Sequence, residues 1–166
     1  MSKSRLITLG VIALAVSGIS ACSPAPTPRS LGVSASSVVK VELYEYPWGT
    51  ATPTDRLTIV NDDRNALVVE ELTSMFTEVP TTALSAESAD ETPGNEALGV
   101  RYTLADGTTT EITRIFLGYH DVVLLWPDGQ ATHTEWGSPD LLDYYAEFGE
   151  VKKVDAAERP HAALPQ

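Results

Sequence analysis

One cysteine, Cys22, in 166 residues leaves the chain unable to close an internal disulfide. Three histidines, at 120, 133 and 161, stand at no metal-ligand spacing. His133 and Glu135 share one face of a predicted strand but lack a third ligand, and His120-Asp121 reads as a solvated pair in a turn. No metal and no cofactor is therefore expected. The chain has no G-x-S-x-G elbow and no serine in a triad context, so nucleophilic catalysis has no visible carrier. Glu70-Glu71 falls on the outer side of an amphipathic segment, and Asn61-Asp62-Asp63 lacks the loop spacing of a calcium hand. Basic residues are scarce, 11 Lys and Arg against 23 Asp and Glu for a net charge of −12. With no basic cluster to displace counterions, nucleic acid is excluded as an expected partner. Nor does any apolar run reach the roughly 20 residues that a membrane-crossing helix requires.

The N-terminus carries a pattern of its own. Lys3 and Arg5 precede an uncharged segment, Leu6 to Ile19, whose brevity and two glycines, Gly10 and Gly18, suit an export signal better than a permanent span. It closes on Ile19-Ser20-Ala21-Cys22, which resembles the lipobox of bacterial lipoproteins. The resemblance implies removal of residues 1–21 and a diacylglycerol on the Cys22 thiol. It also implies an extracytoplasmic protein held by lipid to the cell membrane or outer membrane. More than one acyl chain is needed for firm anchoring, since each buried methylene contributes only about 0.8 kcal/mol. Lys3 and Arg5 leave with the signal, so nine of the 11 basic residues remain against all 23 acidic ones, and the mature charge becomes −14.

Residues 22–37 follow as the lipidated cysteine and a tether. Ser23 to Ser37 is rich in proline and serine and poor in large apolar groups, a composition that cannot offset the entropy of folding. In polyproline-like form it would lift the domain by roughly 40 Å. The globular domain is expected over 38–151, enough for one core, with 152–166 as a C-terminal tail.

Within the domain, Val38 to Tyr46 alternates, with Val39, Val41 and Leu43 facing inward, and Arg56 to Asn61 reads as a second strand. Asp62 serves as N-cap for a helix with Val68, Leu72, Met75, Phe76 and Val79 on one side, stopped by Pro80. Thr81 to Ala97 is acidic and rich in small residues, and reads as a long loop. Four strands of a meander follow: Leu98 to Leu104, a turn at Asp106-Gly107, Thr108 to Leu117, Val122 to Trp126 and Ala131 to Trp136. Ser138-Pro139-Asp140 opens a second helix bearing Leu141, Leu142, Tyr145 and Phe148.

The fold class is thus α+β: a single mainly antiparallel sheet, in the order β-β-α-β-β-β-β-α, with two helices covering one face. The segments Val38 to Tyr46, Arg56 to Asp62 leading into a helix, and Val100 to Gly107 resemble YhfM-like extracytoplasmic domains of small bacterial lipoproteins. The Thr81 to Ala97 insertion departs from that pattern. The resemblance implies a fold and a location but transfers no catalytic residue.

Strand alternation turns Tyr44 and Tyr46 away from the core, with Trp48 in the following loop. This aromatic group is the candidate binding surface, suited to an envelope protein, a peptide or a glycan. The expected function is a membrane-tethered binding or accessory module of the cell envelope. The alternative is a small extracytoplasmic hydrolase.

Overall fold

A computed structural model of the chain describes residues 25–84, 95–118, 120–135 and 141–160. It is an α+β structure built on antiparallel pairing. The strands are β1 (Thr27–Arg29), β2 (Val38–Pro47), β3 (Thr54–Val60), β4 (Val79–Ala83), β5 (Glu96–Leu104), β6 (Thr109–Gly118), β7 (Asp121–Leu125), β8 (Ala131–Thr134) and β9 (Glu150–Val154). Two short helices, α1 (Ala66–Ser74) and α2 (Leu141–Tyr145), accompany them. The strands form one sheet in the order β1-β4-β8-β7-β6-β5-β2-β3-β9.

The meander stands as its turn chemistry predicts. β5 through β8 pair in sequence, and Asp106 organises the first turn by accepting the Thr108 N–H at 2.9 Å. β7 is buried on both faces, Val122 and Leu124 on one and Val123 and Leu125 on the other. Trp126, just after it, is buried and donates its indole N–H to Thr132 Oγ1 at 2.8 Å.

Four expectations are corrected. The tether does not run free to residue 37: Thr27–Arg29 adds an edge strand to β4, and Leu31 and Val33 pack against the core. Its composition conceals two apolar residues and one well-placed cation, Arg29. That guanidinium pairs with Asp128 at 2.5 Å and lies 4.4 Å from the centre of the Trp126 ring. The first helix starts later and ends sooner than its apolar spacing implies. Asp62 instead holds a turn, accepting the N–H groups of Arg64 and Asn65 at 3.0 Å, and Val79 opens a strand rather than closing a helix. Part of the predicted loop is therefore β4; its residues 85–94 lie outside those described. Finally, the C-terminal tail is integral. β9 extends the sheet beside β3, and residues 156–158 form a 3-10 turn capped by Asp155.

A fifth difference concerns β2. Its register with β5 shifts between Val38 and Lys40, so Val38 is buried while Val39 is 42 % exposed. A bulge of this kind switches the face a side chain takes. Beyond it the alternation is regular, with Val41 and Leu43 in one buried cluster and Tyr44 and Tyr46 in another.

The first cluster gathers Leu43, Leu57, Val100 and Leu124 from the sheet with Val69, Leu72, Leu142 and Tyr145 from the helices. The second contains Tyr44, Tyr46, Ala97, Ile115, Val123, Leu125 and Val154. Close approach at Gly149 ties β9 to the sheet: a Cβ there would fall on the Thr58 carbonyl group and the Leu57 side chain. Backbone cannot yield as a side chain can. Gly149→Ala should therefore cost about 3 kcal/mol, the upper end of overpacking, measured as a lowered urea midpoint.

Candidate functional site

The proposed aromatic surface is where burial matters most. Tyr44 is fully buried and Tyr46 is 5 % exposed. The Tyr46 hydroxyl is engaged by the segment expected to be a C-terminal tail. Tyr46 donates to the Pro160 carbonyl at 3.1 Å, and the Arg159 guanidinium sits 4.5 Å from the centre of its ring. Arg159 also donates to the Thr50 carbonyl. Arg101 reaches the Tyr44 hydroxyl at 2.7 Å, Glu111 at 2.5 Å and the Glu158 carbonyl at 2.8 Å, linking sheet to C-terminus. Pro160 fits over Gly99, where a Cβ would come within 2.9 Å of its ring. Trp48 is half-buried beside Tyr46, their ring centres 6.4 Å apart. Tyr44, Tyr46 and Trp48 thus form an internal contact for the chain's own C-terminal segment. They are not an open docking face.

An open concavity lies elsewhere on the molecule, at the β1 edge. Pro26, Pro80, Thr82, His133, Thr134 and Glu135 line a cleft of about 270 Å³. Strand pairing assembles it: Thr82 on β4 is the register partner of His133 on β8, and His133 faces Val123 on β7. Directly paired residues share a face, so His133 projects on the side of the second cluster. β8 ends at Thr134, so Glu135, expected to share a strand face with His133, falls just beyond the strand; both line the cleft, and the histidine's partner is a different residue. His133 Nε2 lies 2.9 Å from Asp121 Oδ1. His120 Nδ1 meets the Glu135 carbonyl at 3.3 Å, and its backbone takes φ 93°, which is strained for a residue other than glycine.

Two histidines, the Asp121 carboxylate and the Glu135 carbonyl thus meet at one end of β7 and β8. The sequence offered only half of this, because the Asp121–His133 contact depends on the register of two strands. The Asp121 carboxylate fixes the imidazole ring through one nitrogen, an arrangement that orients a hydrogen-bonding or proton-transfer group. Among the described residues, no group of three His, Cys, Asp or Glu side chains is placed to hold a metal ion.

On the opposite face lies an unusual cation. Arg114 is 6 % exposed, and among the described residues it has neither ion pair nor side-chain hydrogen bond, only the Phe116 ring at 5.3 Å. Burial pushes its guanidinium down to about 10. Cys22, Trp136 and His161 lie outside the described residues, as does the Ser138-Pro139-Asp140 segment predicted to open the second helix.

No family model, curated protein or solved structure matches this chain.

Proposed function

We propose that the protein is a lipid-anchored binding module of the cell envelope, with the cleft at the β1 edge as its ligand site. The lipobox resemblance supplies the anchor at Cys22, and the likeness to YhfM-like domains agrees with a place outside the cytoplasm, on the cell membrane or outer membrane. In this reading α1 and α2 roof one face of the sheet and the C-terminal segment closes much of the other, so the β1 edge is left for partners. One observation carries it: Pro26, which lines the cleft, immediately precedes β1. Recognition and attachment are therefore neighbours along the chain. Among the described residues no helix is long and apolar enough to cross a membrane.

The anchor is tested directly. Cys22→Ala protein should leave the membrane fraction under a high-salt wash while the unaltered protein stays, because an acidic domain without acyl chains has little affinity for lipid. Retention of the variant would refute lipid anchoring at Cys22. A small hydrolase is the second reading, favoured only by the Asp121–His133 contact at 2.9 Å. It requires ester or amide turnover that disappears in His133→Ala.

A further inference from the structure

We propose that the cleft receives a primary ammonium group carried by a lipid head group of the membrane in which the protein is anchored. The inference rests on the anchored reading above and deepens it by naming the ligand's chemistry and its source.

Covalent geometry sets the location. Pro26 is four residues beyond Cys22. A fully extended chain gains no more than about 3.6 Å per residue, so Pro26 lies within about 14 Å of the Cys22 backbone whatever conformation the intervening residues take. An acylated Cys22 sits at the head-group level of the bilayer. The cleft is then held within the reach of a phospholipid head group, far closer than the 40 Å that a free tether would give.

Charge sets the ligand. The lining residues include no lysine or arginine, while Glu135 belongs to the wall and Asp121 stands against His133. Glu135 forms no ion pair among the described residues, so its carboxylate is available to a cation. Phosphate and carboxylate groups would meet two acids and no compensating base. An ammonium group would meet carboxylate oxygen, the hydroxyl of Thr82, which shares the His133 face, and an imidazole, all able to accept its three N–H donors.

Size sets the limit. Pockets for drug-sized molecules run from about 300 to 1,000 Å³. At about 270 Å³ this cleft suits a group of a few heavy atoms rather than a length of peptide or glycan. Pro26 and Pro80 supply firm apolar walls for the methylenes next to such an ammonium.

The test uses full-length lipidated protein in bilayer discs of phosphatidylglycerol, with and without phosphatidylethanolamine, and isotope-labelled histidine read by NMR. Ethanolamine lipid should shift the His133 ring signals and leave those of the unaltered protein in pure phosphatidylglycerol unchanged. Glu135→Gln should weaken the response several-fold, on the order of fivefold for one partly solvated charge pair. Protein that is anchored in both discs yet shows no His133 shift overturns the proposal. Protein that fails to stay with either disc overturns the anchored reading and the lipid source together. The soluble Cys22→Ala protein, titrated with free ethanolamine, then decides whether an ammonium site exists at all: a saturable His133 shift weakened by Glu135→Gln keeps it, and an unresponsive ring removes it.

Discussion

Tyr46→Ala is expected to lose about 3 to 5 kcal/mol of folding stability, and the double variant Tyr44→Ala, Tyr46→Ala to fall outside the range in which the domain folds. Both rings are buried, and removing a large aromatic from a core costs about that much each, against a total stability of about 5 to 15 kcal/mol for a domain. The comparison is sharp, because exposed tyrosines would change stability by less than about 0.5 kcal/mol apiece. Tyr46→Phe separates the ring from its hydroxyl. It keeps the packing and loses the hydroxyl's bond to the Pro160 carbonyl at 3.1 Å and its longer contact with Thr113 Oγ1 at 3.5 Å, and should cost about 1 kcal/mol. Urea unfolding followed by circular dichroism measures all three. A double variant that melts within a few degrees of the parent would return these residues to the surface.

The second large effect is alkaline. Burial pushes Tyr46 up to about 12 and Tyr102 higher still, while the unfolded chain ionises its phenols near 10. Above pH 10 the unfolded state therefore binds fewer protons than the folded state, and stability falls as pH rises. Each such tyrosine removes about 1.4 kcal/mol per pH unit. Burial also raises Tyr145 and Tyr44, in the same direction. Arg114 acts oppositely: its lowered value means that the folded state releases a proton first, so it offsets one tyrosine. The tyrosines outnumber it. Net stability should drop by about 1.4 to 3 kcal/mol per pH unit above 10, a loss of about 3 to 6 kcal/mol by pH 12. Urea midpoints at successive pH values read the slope, and phenolate absorbance should rise in a cooperative step with unfolding. A flat midpoint between pH 9 and 11 would contradict it. Tyr102→Phe should make the slope shallower, though it also deletes the 2.7 Å bond to the Leu72 carbonyl.

Strands whose partners lie next in sequence were readable, and elements defined by distant partners were not. The β5–β8 meander announces itself through turn residues and alternation. The β1 strand does not, because three residues, Thr27–Arg29, acquire strand character only from β4, more than 50 residues later. β4 is equally silent: Pro80 suggests a stop, and an extended segment of five residues shows no periodicity of its own. For β2, Lys40 and Glu42 make the second face look solvated. Glu42 is in fact buried, paired with Lys40 at 3.3 Å and Arg56 at 3.6 Å. A face can be polar in composition and still be covered when its charges find partners. The same limit applies to the cleft. His133 and Glu135 are visible as neighbours on a strand, whereas Asp121 and Pro26 enter only through sheet order. Arg159 and Pro160, which cover the tyrosines, sit where composition indicated only a tail.

Covering Tyr44 and Tyr46 with residues 150–160 has a consequence for biosynthesis. Tyr46 emerges from the ribosome more than 100 residues before Pro160, its hydrogen-bonding partner, and β3 likewise waits for β9. Contacts of such long sequence separation form slowly. A nascent chain therefore carries an incomplete sheet with uncovered aromatic side chains until residues 150–160 have been made. Residues 150–160 thus set the moment at which this face of the sheet can close, because the edge of β3 away from β2 and the Tyr46 hydroxyl's bond to Pro160 both wait for them.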